Sequence, residues 1–281
     1  MRSGDLAGIE DGLVHTFSHN AEGISCRPSE PLFEAHSSSS VQTDATLLQS
    51  WSYPLRYIVM TPEKIAEWNS ELRSKSPAEI VSWAMAQSAG RAIVSTNFRP
   101  YEAALLHLCA QAQPDIPVLW ADHGYNRSAT YRHAALLKEM LHLNLQAFAP
   151  RMTVARYETL YGAVPALGDE EALKQFSAIM KLEPFQRGMR ELAPTVWFTA
   201  LRKVQNPLRS SLDIVSHDAN FGTLKVSPLF YHTDAAMEAY LEQYNLPNEW
   251  DYFDPAKADE KRECGLHAAW GGTALAAKSN S

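Results

Sequence analysis

The sequence predicts an α/β protein with a central, mostly parallel sheet. From Arg91 onward, short apolar segments of strand length alternate with longer segments of helical period, the rhythm of strands joined by helical crossovers. Ahead of them, Thr61-Pro62 and Ser76-Pro77 each place a capping residue before a first-turn proline, so two helices precede the alternation. The 281 residues are 46 % apolar and 20 % charged, enough for one large domain with appendages or two small ones.

Residues 1–50 are polar and irregular, with serine at 37 to 40, and read as a flexible leader. In the N-terminal helical segment, 51–90, the first helix runs to about residue 72. The second runs to about 88, with Glu79 at the capping-box position and Gly90 as its stop. The α/β domain occupies 91–250. Strands are predicted over 92–95, 118–121 and 145–149, with helices over 100–113 and 128–141. Helices follow over 154–160, 170–180 and 184–192, then an apolar strand over 195–200. A strand pair at 214–217 and 224–227 and an amphipathic helix over 233–244 complete the domain. Residues 251–281 form a polar tail, and no internal repeat is present.

Composition excludes several classes of function. A formal charge of −7 argues against a general nucleic-acid binder while leaving room for a local basic pocket. No apolar run approaches the ~18 residues of a membrane span. Asp5, Glu10 and Asp11 interrupt the N-terminus, so a secretory signal is not expected and the cytoplasm is. Three widely spaced cysteines, Cys26, Cys109 and Cys264, fit a reducing compartment and are too few for a four-cysteine iron–sulfur cluster within one chain. Ten histidines without HExxH or paired Cys/His spacing give no support to a zinc site.

Ligands of such sheets bind beyond the carboxyl ends of the strands, which draws attention to three loops. Ser95-Thr96-Asn97-Phe98-Arg99 leads into a helix and reads either as a phosphate or sulfate cradle or as an ordinary helix cap. Asp122-His123-Gly124-Tyr125 offers a carboxylate beside a glycine, for a polar substrate group or simply for a turn. Arg202, Lys203 and Arg209 make a basic turn that is either solvated or a clamp on a polyanion.

The tail holds the candidate nucleophile, Cys264, in Lys261-Arg262-Glu263-Cys264-Gly265-Leu266-His267. The cations, with His267 if protonated, favour the thiolate, and Glu263 opposes it. A lone cysteine is by default an idle thiol or a small buried hydrophobe, but residues 253–263 are too polar to bury one. Cys109, on a helical face with Tyr101, Leu105 and Leu108, reads as packing, and Cys26 as incidental.

Together these segments resemble the sulfonucleotide reductases, specifically the phosphoadenylyl-sulfate (PAPS) reductase family. The resemblance runs from about Arg91 to His267 and rests on KRECGLH at 261–267, KLEPFQR at 181–187, WFTALRKVQ at 197–205 and PDIPVLWADHGY at 114–125. It implies a Rossmann-like adenine nucleotide alpha hydrolase fold, usually dimeric, with the cysteine on a mobile C-terminal tail. By resemblance, Ser95, Thr96, Asn97 and Phe98 hold the nucleotide phosphate, and Asp122 and Gly124 form the second loop. Lys181, Arg202 and Arg209 surround the phosphosulfate, and Arg262 and His267 flank the cysteine.

The activity so implied is attack of Cys264 on the sulfonate sulfur, giving adenosine 3′,5′-bisphosphate and an S-sulfocysteine from which thioredoxin or glutaredoxin releases sulfite. No second cysteine lies near Cys264, which independently calls for an external dithiol. The branch that reduces adenylyl sulfate carries a cysteine pair before its Lys-x-Glu-Pro block. Here residues 175–180 read QFSAIM, so the cluster-free branch, acting on PAPS, is expected. Arg99 replaces the usual glycine of the phosphate loop and offers a substitute cation for the 3′-phosphate. The alternatives are a cluster-free adenylyl-sulfate reductase, an adenylating enzyme on the same fold, disfavoured by STNFRPYE in place of an SGGxDS-type loop, and a non-catalytic nucleotide-binding module.

Overall fold

The structure, a computed structural model, describes residues 60–255 apart from 167 and 206. Among these residues six strands form one sheet: β1 (Ala92–Thr96), β2 (Pro117–Ala121), β3 (Asn144–Phe148), β4 (Val196–Phe198), β5 (Val215–Asp218) and β6 (Thr223–Val226). Their order is β3-β2-β1-β4-β6-β5, parallel throughout except for the β5–β6 pair. The predicted, mostly parallel sheet is therefore present. The chain steps outward from β1 to β3 and then returns to start β4 on the other side of β1, which makes the β1/β4 boundary the topological switch point.

Eight α-helices of the described residues surround the sheet: α1 (Pro62–Leu72), α2 (Pro77–Gln87), α3 (Glu102–Ala112), α4 (Ser128–Met140), α5 (Val154–Tyr161), α6 (Glu170–Ser177), α7 (Glu183–Leu192) and α8 (Asp234–Gln243). Thr61 caps α1, and Ser76 with Glu79 forms the complete capping box of α2. Strand alternation divides the apolar residues between two faces. Ala92, Val94, Val118, Trp120, Val196 and Phe198 pack with residues of α1, α2, α3 and α8. Ile93, Leu119, Ala121 and Trp197 pack against Phe185 and Met189 of α7. Both faces are covered, as an internal parallel sheet requires. Gly188 permits the close approach of α7, because a Cβ there would stand 2.2 Å from Leu119 Cδ1.

The structure departs from the sequence reading at three places. The helices expected over 170–180 and 184–192 are continuous through a π turn, Ala178–Leu182, closed by the bond from Glu183 N–H to Ala178 O. Pro184 removes one donor from this run, and the backbone widens just before it. The helix expected from 100 starts at Glu102, since Tyr101 takes a left-handed conformation at φ 71°. The strand expected over 195–200 pairs only as Val196–Phe198, and the basic turn beyond it forms 3₁₀ segments at Lys203–Gln205 and Pro207–Ser211. Among the described residues no helix is long and apolar enough to cross a membrane.

Candidate active site

A cleft opens at the switch point, with about 520 Å³ of space counting that open to solvent. Its floor is apolar, from Leu119, Ala121, Phe185 and Trp197. Ser95, Thr96, Asn97, Arg99, Glu102, Thr199 and Arg209 supply polar groups around it. Trp197 reaches this floor because β4 places it on the same sheet face as Ile93 of the adjacent β1. Its indole N–H donates to Ser95 Oγ at 2.8 Å, which orients that hydroxyl.

The loop after β1 is organised around a carboxylate of the chain itself. Glu102 Oε2 accepts from Thr96 Oγ1 at 2.8 Å, Asn97 N–H at 2.8 Å and Arg99 N–H at 3.2 Å. Phe98 N–H donates to Thr96 Oγ1 at 2.9 Å. The N–H groups that the sequence reading offered to a phosphate are thus engaged within the loop, and Arg99 Nε lies 3.5 Å from Glu102 Oε1. Phe98 holds a left-handed φ of 55°. Its ring is fully buried, edge-on to Trp120 at 5.0 Å, so it serves the core rather than the cleft.

The other expected site residues have separate surroundings. Asp122 Oδ1 accepts from Gly124 N–H, Asn126 Nδ2 and Tyr131 OH, and so shapes the loop after β2, where Gly124 takes φ 77°. Lys181, in the π turn, is buried with its Nζ 2.6 and 2.5 Å from the two carboxylate oxygens of Asp254. Arg202 is buried between Asp234, at 2.7 Å, and the Tyr101 ring, at 5.0 Å from its centre. Arg209 lines the cleft and donates to Gln205 Oε1. The structure therefore brings Ser95, Thr96, Asn97 and Arg209 into one cleft, together with Arg99. Lys181 and Arg202 are tied to acidic partners instead.

Cys264, Arg262 and His267 lie outside the described residues, as does Cys26. Cys109 is completely buried, and burial pushes its thiol far above the ordinary range, which removes it as a nucleophile. Among the described residues no group of three or more His, Cys, Asp or Glu is placed to hold a metal.

Sequence reasoning missed Glu102, Trp197 and Asp254. Glu102 follows Thr96 by six residues, a spacing that matches no capping motif. Asp254 meets Lys181 across 73 positions, which no local pattern reveals.

His123, in the loop after β2, gives the fold a pH signature. Its imidazole is 3 % exposed, and Nδ1 accepts from Tyr125 N–H at 3.1 Å, which requires that nitrogen unprotonated. Burial first, and then the charge of Lys181, lower its pKa from 6.5 to about 4. The folded state thus favours the neutral ring. The stabilisation is complete above pH 6.5 and is lost as pH falls toward 4, where the unfolded chain binds the proton more readily. Unfolding titrations are expected to show about 3 kcal/mol less stability at pH 4 than at pH 7 from this residue. The loss is read as the difference between wild type and His123→Gln, and parallel pH profiles of the two proteins contradict it.

Comparison with known proteins agrees with this architecture. Residues 91–250 match the family model of the phosphoadenosine phosphosulfate reductase domain. The chain is 31 % identical over 226 residues to the phosphoadenosine 5′-phosphosulfate reductase of Synechococcus sp., a match covering 72 % of this chain and 97 % of that one. It is 33 % identical over 226 residues to the enzyme of the same name from Vibrio parahaemolyticus, covering 73 % and 86 %. In fold it is similar to the crystal structure of a PAPS reductase from Candida auris in a phosphate complex. That match has a TM-score of 0.60 at 21 % identity and covers 68 % of this chain and 91 % of the other. With its parallel sheet, its cleft at the switch point and a family match across the whole α/β region, the chain belongs to the phosphoadenosine phosphosulfate reductase family.

Proposed function

We propose that this protein reduces PAPS to sulfite and adenosine 3′,5′-bisphosphate in sulfate assimilation, through an S-sulfocysteine on Cys264. The observation that carries the reading is the cleft itself. An apolar floor suited to a base and two arginines, Arg99 and Arg209, converge at the switch point of a chain whose family relatives bear this name.

The step balances without a bound cofactor. The Cys264 thiolate forms a bond to the sulfonate sulfur, and the bond from that sulfur to the phosphate oxygen breaks. Adenosine 3′,5′-bisphosphate departs with the electron pair. Thr96, Asn97 and the arginines surround the space in which that negative charge collects. A dithiol protein, thioredoxin or glutaredoxin, then attacks Sγ of the S-sulfocysteine. Sulfite leaves as the two-electron reduced product, and the mixed disulfide resolves to a disulfide on the partner with Cys264 restored. QFSAIM at 175–180 supports the cluster-free branch. The same reading takes the protein as a cytoplasmic homodimer, in a compartment that keeps Cys264 reduced.

The test is to incubate the reduced full chain with PAPS, and separately with adenylyl sulfate, and to map modification by mass spectrometry. PAPS is expected to leave one sulfonate on Cys264, and thioredoxin is expected to release it as sulfite. An unmodified Cys264 refutes the function, and modification by adenylyl sulfate alone reassigns the substrate.

A further inference from the structure

Strand register brings Ser95 and Trp197 together at the switch point. β1 and β4 are parallel neighbours, with Ile93 opposite Trp197. Side chains two apart on a strand share a face, so Ser95 stands on the same face as Ile93, two residues nearer the carboxyl end. The indole N–H of Trp197 reaches Ser95 Oγ along that diagonal, at 2.8 Å. Both residues border the cleft, but they differ in exposure: Trp197 is 0 % exposed, whereas Ser95 is only partly buried. Ser95 is the member of the pair open to a ligand.

The indole is fixed on several sides. Lys225 Nζ lies 4.7 Å from its ring centre, and the rings of Phe185 and Phe221 lie at 5.3 and 6.4 Å. The direction of its N–H is therefore set by packing. An indole N–H can only donate, while a serine hydroxyl carries one proton and two lone pairs. With one lone pair accepting from Trp197, the Ser95 proton points away from the indole. A hydroxyl that accepts one hydrogen bond also donates the next more strongly.

We propose that Trp197 is a positioning residue for the nucleotide: its N–H makes Ser95 an oriented hydrogen-bond donor to a phosphate oxygen of PAPS in the cleft. Trp197 acts through Ser95, and the inference rests on the cleft being the PAPS site. The phosphate oxygen is charged before the sulfonate moves as well as after. A donor to it therefore strengthens binding of the ground state and the transition state alike, and its loss is read in affinity rather than in the rate of transfer.

The deciding variants are Trp197→Phe, Ser95→Ala and the double W197F/S95A. Phenylalanine keeps an aromatic ring against Lys225 and removes the N–H. A second replacement at 197, β-(3-benzothienyl)alanine, keeps the volume of the indole and also lacks the N–H. PAPS affinity is measured calorimetrically in the full chain carrying Cys264→Ser, and single-turnover sulfonation at saturating PAPS is timed with Cys264 intact. W197F is expected to weaken PAPS binding about three- to tenfold, the scale of one hydrogen bond, with the transfer rate within about twofold of wild type. In the S95A background it is expected to weaken binding no further. The benzothienyl protein is expected to match W197F. Wild-type affinity in the benzothienyl protein assigns any W197F loss to packing and overturns the proposal. So does a W197F loss that persists in full in S95A, the mark of a ring that only fills the floor. If the Cys264→Ser protein with Trp197 and Ser95 intact binds no PAPS, the functional reading and the inference fail together; if it binds PAPS and both Trp197 replacements bind it as tightly, the inference alone fails.

Discussion

Cys264→Ser is expected to bind PAPS yet release no sulfite, with turnover lower by roughly four orders of magnitude or more, the scale on which removal of a covalent nucleophile acts. On the proposed mechanism the thiolate is the attacking species, and Lys261 and Arg262, its neighbours in the sequence, favour it. A serine hydroxyl in the same place has no such anion available, and Cys109 does not stand in for it. Cys109 is sealed in the core on the buried face of α3, with its thiol held protonated by burial. The cleft residues are untouched, so binding persists while transfer stops. Steady-state sulfite release with thioredoxin checks the rate, and calorimetry with PAPS checks the binding. Sulfite formed by the serine variant at more than a trace would remove Cys264 from the mechanism.

The second large effect is expected at Lys225, which supports the cleft from below. Its Nζ lies 3.1 Å from Asp218 Oδ2 and 4.7 Å from the centre of the Trp197 ring, and the two charged side chains are 8 % and 4 % exposed. Lys225→Met removes the ammonium and leaves the Asp218 carboxylate buried without its cation, its other oxygen, Oδ1, still accepting from the N–H groups of Asn220 and Phe221. Breaking a buried pair from one side costs about 3–5 kcal/mol. Urea unfolding is expected to show that loss, and D218N/K225M is expected to recover much of it, since neither charge then remains alone. A single variant within about 1 kcal/mol of wild type would show that the pair does not hold the floor of the cleft.

Much of the architecture was legible before any coordinates. Thr61-Pro62 and Ser76-Pro77-Ala78-Glu79 announced α1 and α2, because capping is a local exchange between a side chain and the donors of the first turn. The short apolar runs announced β1 and β2, because strands covered on both faces lack polar alternation, whereas the edge strand β3 is only partly buried and sets Asn144 and Gln146 among its apolar residues. The π turn before Pro184 was hidden, since both flanking stretches carry ordinary helical patterns. The left-handed Tyr101 was hidden too, since nothing in its neighbours marks a positive φ.

The site divides along the same line. By itself the sequence determined the alternation that builds a parallel sheet, the strand-end loop at Ser95 to Arg99, the motif around Cys264 and the grounds for proposing an external dithiol. Each of these depends on neighbours along the chain or on a simple count of cysteines. Only the tertiary structure decided what the charges do. It turned Glu102 onto the loop that looked ready for a phosphate, joined Lys181 to Asp254, Arg202 to Asp234 and Arg99 to Glu102, and set Arg99 and Arg209 at the cleft. A cation advertises its charge in the sequence, but whether a ligand or a carboxylate answers it depends on which residues folding brings within a few ångströms, and long-range pairing leaves no local pattern to read.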